Sequence, residues 1–214
     1  MNNENKEIID IIENPGLQWS KEIDILLATW CDNAKCLEWM HSETSIDYQH
    51  RSKIFMIVIN LLTAVSGLSN IIAGNVSIGG FQLIWVFGSI SIIISTLNIL
   101  QDKLAYQSLA ESHRKFAGQW SVIISKIEEI VALPINARRD CKTFLRYIKA
   151  DINQVTLDGN NLIPKNIRDT CYEKFKNIPN FELPDILGVV SHTKSFFSYP
   201  NESINITEPL LNKN

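Results

Sequence analysis

The side chains that could do chemistry are few and scattered. Cys31, Cys36, Cys141 and Cys171 form no C-x-x-C pair, and His41, His50, His113 and His192 have no carboxylate partners at motif spacing. Cys31, Cys36 and His41 are separated by steps of five residues. Each step turns about 140° around a helix and splays the ligands too widely to share a zinc ion. There is no P-loop, G-x-G-x-x-G, G-x-S-x-G or H-E-x-x-H. The expectation is a protein without catalytic residues, metal or cofactor, and not an enzyme. Its cysteines read as reduced thiols on a cytosolic face.

The patterned polar groups lie instead inside apolar sequence. Asn60, Thr63, Gly67 and Asn70 recur at steps of three, four and three, and so do Gly88, Ser91, Ser95 and Asn98. On a helix each set makes one small-or-polar stripe. Two roles compete for them: close helix packing with hydrogen bonds between helices, or the lining of a water-filled pore in an oligomer. No Asp, Glu, Lys, Arg or His interrupts these segments. That argues against proton-coupled transport and against a charge-selective filter inside the bilayer.

The elements that position the stripes follow from charge. Between Lys53 and Asp102 there is no Asp, Glu, Lys or Arg, so a mean hydropathy of +0.00 is the average of an apolar tract and a charge-rich remainder. Within the tract, 54–72 and 81–100 are each close to the ~20 residues a helix needs to cross a bilayer. The link at 73–80, AGNVSIGG, suits a short turn at the far interface. A soluble core large enough to bury such a hairpin would need more apolar surface than the rest of the chain supplies. Arg51 and Lys53 precede the first span, Lys103, Arg114 and Lys115 follow the second, and the link has no basic residue. Both termini are therefore expected in the cytoplasm, in a two-pass integral membrane protein whose first partner is the lipid bilayer. The pI near 5.8 gives no footprint for nucleic acid.

The flanking arms carry matching rhythms. Trp19, Ile23, Leu26, Trp30, Asn33, Leu37 and Met40 alternate steps of four and three, as do Leu109, His113, Phe116, Trp120, Ile123, Ile127 and Ile130. The spacing predicts that each span continues unbroken into a cytoplasmic helix, within 1–53 on one side and over 101–133 on the other. Both arms would rise about 50 Å at ~1.5 Å per residue. Paired antiparallel, they would place His113 near His41. A parallel bundle between chains satisfies the same heptads.

Residues 134–197 read as smaller cytoplasmic helices and 198–214 as a disordered tail. A helix over 135–155 would carry Arg139, Lys142, Arg146 and Lys149 as a basic stripe, open to salt bridges with the acidic N-terminal segment, to an anionic ligand such as a nucleotide signal, or to the leaflet surface. The opening ENKEIIDIIEN is expected to dock on the stalk or on a neighbour.

The tract WSKEIDILLATWCDNAKCLEWMHSETSIDYQHRSKIF, the short GN-containing turn, and a second span running into LQDKLAYQSLAESHRKFAGQWSVIISKIEEI resemble the SLATT family of two-span proteins over about residues 17–155. The resemblance implies a pore-forming or membrane-perturbing effector of a conflict system, often found beside nucleotide-second-messenger synthases or nucleotide-sensing proteins. It brings no catalytic residues. The expected fold is all-α: a membrane helical hairpin extended into long antiparallel cytoplasmic helices, with smaller C-terminal ones. The expected function is an oligomeric pore effector triggered by a nucleotide signal, a sensor protein or self-assembly. The alternative is a non-conducting scaffold of a cellular or virion membrane.

Overall fold

The computed structural model describes residues 17–72, 77–78, 81–159, 163–179 and 181–188, with their side chains except those of 69–84. Helix α1, Lys21–Ile72, runs for 52 residues without a break. It contains no proline, and its single glycine, Gly67, lies near its end, so nothing in its backbone chemistry stops it. A short antiparallel ribbon follows: β1, Ser77–Ile78, pairs with β2, Phe81–Gln82, with Ser77 opposite Gln82. The second apolar helix, α2, therefore begins at Leu83 rather than Phe81 and ends at Leu104. Next come α3, Tyr106–Ala132, a 3-10 turn at Ile135–Ala137, α4, Cys141–Gly159, α5, Lys165–Phe175, and a 3-10 turn at Asp185–Leu187.

Two rods lie antiparallel, α1 against α2 and then α3. The charged half holds the core. Ile23, Leu27, Ala34 and Met40 of α1 bury against Trp120, Ile123, Ile127 and Ile130 of α3. The α3 rhythm emerges as read, with Leu109 and Phe116 half-buried and the other five positions buried. On α1 the buried arc is wider than one seam. Leu26, Trp30 and Asn33 are only half-buried, while Leu27, Cys31 and Ala34 are buried. The cause is that α1 touches α3 on one side and α5 on another, where Trp39 meets Phe175 edge-on and Lys174 lies 4.5 Å over the Trp39 ring. All four cysteines are buried thiols.

Helix α4 starts six residues later than the expected Ile135. Pro134 ends the preceding rod, and the Asp140 carboxylate accepts a hydrogen bond from the Thr143 N–H at 2.8 Å, capping the new helix. Arg139 therefore precedes α4, and the basic stripe loses its first helical member.

The uncharged half is not a buried hairpin. Leu61, Trp85 and Ile92 are 64 %, 70 % and 69 % exposed. Two helices are thus long and apolar enough to cross a membrane, and the other described residues do not cover them.

The second rod is not continuous, which corrects the expectation of an unbroken helix from span to stalk. Ala105 sits at φ 47, ψ 34, the left-handed region, and is the one non-glycine with positive φ among the described residues. Ser45 Oγ donates to Ala110 O in the stalk, and Ser66 Oγ meets Ser91 Oγ in the hairpin. Between those two contacts α1 uses two more residues than the opposing rod. The non-helical junction at Ala105 makes up that length. An L-residue there costs about 1–2 kcal/mol in contacts between Cβ and the backbone. Ala105→Gly should therefore raise stability by about 1 kcal/mol and Ala105→Val lower it, read as unfolding midpoints in detergent micelles.

Candidate functional site

The stripe residues mostly lie beside the contact between α1 and α2 rather than in it, and the Ser91 hydroxyl reaches it at Ser66. That seam consists of Ser52, Phe55, Ile59, Leu62 and Ser66, all buried or half-buried, facing the half-buried Phe87, Ile90, Ile94 and Leu97. Each stripe position is one residue further along the chain. Asn60, Thr63 and Gly67 follow Ile59, Leu62 and Ser66, while Gly88, Ser91, Ser95 and Asn98 follow Phe87, Ile90, Ile94 and Leu97. All seven are exposed. One step turns about 100° around a helix. Because the helices are antiparallel, the same step turns both stripes toward the same side of the hairpin.

Register then aligns them. Ser66 Oγ lies 3.3 Å from Ser91 Oγ, so Asn60 stands within a residue of level with Asn98, and Thr63 with Ser95, Gly67 with Ser91, Asn70 with Gly88. The Asn70 side chain lies outside the described residues. The result is one exposed polar strip built from both helices, rung by rung, beside an apolar seam.

The hydroxyls of the strip satisfy themselves. Thr63 Oγ1 donates to Ile59 O at 2.8 Å, Ser91 Oγ to Phe87 O at 3.0 Å and Ser95 Oγ to Ser91 O at 2.9 Å. The carboxamides of Asn60 and Asn98 have no partner among the described residues. Their donors and acceptors are the polar groups that something outside the protomer has to meet.

In the stalk, His41 and His113 come together as antiparallel pairing requires. Their Nδ1 atoms are 2.9 Å apart and both residues are 0 % exposed. Burial, then the neighbouring imidazole, lowers the His41 pKa to about 4, and burial lowers that of His113. The Tyr48 ring lies 5.7 Å from that of His113, and Phe116 lies 5.3 Å from His41. Where Tyr48 stacks on Tyr106, an aromatic layer separates this pair from the apolar hairpin.

The basic residues of α4 do not converge on one point. Arg139 borders a groove of about 470 Å³ between the end of α3 and α4, with Phe144, Tyr147 and the Lys126–Asp151 ion pair. Lys142 is exposed. Arg146 lies 5.8 Å over the adjacent Tyr147 ring, and Lys149 reaches the opposite side to sit 5.3 Å over Trp30.

The basic residue that matters most to the packing, Arg138, lies just outside the stripe. Its guanidinium pairs with Asp24, donates to the carbonyls of Leu133 and Val131, and lies 5.0 Å from the Trp19 ring centre. Trp19 Nε1 in turn donates to Arg139 O at 2.8 Å. This closure joins residues more than 100 apart in sequence, so no local pattern could announce it. Two further ion pairs join the helices, Lys35 of α1 with Glu128 of α3 and Lys126 of α3 with Asp151 of α4, and both are solvent-exposed.

No family model, no curated protein and no solved structure matches the chain.

Arg138→Met should destabilise the fold by about 1–3 kcal/mol, because Asp24 and two carbonyls lose their donor in a partly buried setting. Asp24→Asn should cost less, since the arginine keeps both carbonyl bonds. Thermal unfolding of the two variants in one detergent checks the order.

Proposed function

We propose that this chain is a two-pass membrane protein that assembles with copies of itself into a ring, with the polar strip lining an aqueous path and the stalk controlling it from the cytoplasm. The observation that carries the reading is the Asn60–Asn98 rung. Two carboxamides lie level in the uncharged segment, outside the seam and without a partner among the described residues. An amide without a hydrogen bond in hydrocarbon costs several kcal/mol. Water or a neighbouring protomer removes that penalty; lipid does not. One hairpin cannot enclose water, so the path requires a ring of protomers.

The flanking basic residues support a cytoplasmic stalk, since Arg51, Lys53, Lys103, Arg114 and Lys115 all lie at its end of the hairpin. The absence of ionisable groups between Lys53 and Asp102 suits a path with weak charge selectivity. The resemblance of residues 17–155 to SLATT proteins supports the same class of function, an effector that opens membranes. In that setting a nucleotide signal or a sensor protein would meet the exposed Arg139, Lys142, Arg146 and Lys149.

Purified protein in lipid nanodiscs should be an oligomer of three or more chains and should conduct ions across a planar bilayer. Asn60→Leu with Asn98→Leu should reduce ion flux by about tenfold or more, a change of ~1.4 kcal/mol in the barrier an ion meets. A monomer or a dry, non-conducting dimer would overturn the pore and leave the scaffold function.

A further inference from the structure

The His41–His113 contact has no role in the strip, yet both rings are fully buried in the stalk. It joins α1 to α3 across the main packing interface, and the end of α4 covers it. A Cβ built on Gly159 would lie 3.2 Å from the Phe116 ring and 3.4 Å from His41 Cε1, so only glycine closes that cover without displacing the rings.

Hydrogen bonding fixes the tautomers. Two Nδ1 atoms at 2.9 Å share one proton, so one ring carries Nδ1–H and a bare Nε2, and the other carries Nε2–H and a bare Nδ1. Neither Nε2 has a partner among the described residues. Among them the neutral pair therefore holds one orphan donor and one orphan acceptor. A first added proton goes to the bare Nε2 and leaves a cation with no counter-ion among the described residues. A second places two N–H donors against each other at the shared position. Each proton is better accommodated when the rings reach water, which requires α1 and α3 to part at this level or α4 to lift from it.

We propose that the His41–His113 pair is a proton-operated latch: neutral, it holds the stalk closed, and acidification releases it. That the released stalk alters ion flux rests on the pore reading above; the latch itself does not.

The groups around the pair are few. From α1 the titratable neighbour is Tyr48, whose ring faces His113, beside the uncharged Thr44 and Ser45. Helix α3 presents Phe116 and α4 presents Gly159, neither of which titrates. Among the described residues the charge acting on His41 is that of His113, and on His113 burial acts alone. No carboxylate among the described residues acts on either ring to stabilise its charged form.

The sign follows. In the closed state the pKa of both rings lies below the free value near 6.5, that of His41 at about 4, so an opened stalk binds more protons than a closed one. Closure is fully favoured above about pH 6.5 and weakens as pH falls from there toward 4. Ala105, with its left-handed backbone, lies between the latch and the hairpin.

Spin labels on Ile46→Cys and Lys115→Cys, both exposed positions flanking the pair on α1 and α3, report the separation in full-length protein in nanodiscs. The four native cysteines are buried, which favours labelling at the introduced sites. A single short distance is expected at neutral pH, with a longer population growing below about pH 6. In His41→Leu with His113→Leu that pH response should vanish. Imidazole 15N spectra of the unsubstituted protein provide a second measurement that needs no altered fold. They should show one Nδ1–H and one Nε2–H ring at neutral pH, both titrating below the free value.

Two rings that titrate near 6.5, or a label distance unchanged from pH 7.5 to 4.5, would overturn the latch. Flux measured on the same samples separates the two ideas. Opening on acidification without flux at any pH keeps the latch and removes the pore, while flux with an invariant distance does the reverse.

Discussion

The antiparallel packing of α1 on α3 is the constraint on which the rest depends. It buries the aliphatic core from Ile23 to Met40 against Trp120 to Ile130, which supplies most of the buried cluster among the described residues. Once that contact sets the register, His41 has to meet His113, Ser45 has to meet Ala110, and the rods enter the uncharged half already aligned. Without it the hairpin would be two apolar helices with little to choose one register over another, since lipid gives no hydrophobic force between them.

Alignment in the stalk does not pass unchanged into the hairpin. The two rods need different numbers of residues between the Ser45 and Ser66 contacts, and a left-handed alanine absorbs the difference at the level where the solvent is expected to change. Strain at Ala105 persists because packing on both sides over-determines it.

Much of this was legible in the residues. The charge gap between Lys53 and Asp102 marks the apolar pair of helices, and the four-three rhythm of α3 names its buried face almost residue by residue. The equal spacing of Asn60–Asn70 and Gly88–Asn98 was visible too, and so was the approach of His113 to His41. What misled was local continuity. The sequence DKLAYQS contains neither glycine nor proline, so the break at Ala105 has no signal in it; nor does INARRD advertise that Asp140, rather than Pro134, starts α4.

Sequence alone determined which segments avoid water, which faces are apolar and which residues are polar at helical spacing, because these depend on side-chain type and the 3.6-residue period. It could not determine which side of each helix faces the other, because a stripe one residue off the seam satisfies the same periodicity as the seam itself. Tertiary structure decided that the polar stripes lie outside the hairpin contact and on a common side, that Arg138 rather than its basic neighbours closes the chain onto Asp24, and that the two histidines share a proton in a sealed site. Each is a relation between residues far apart in the chain, set by how rigid rods fit together.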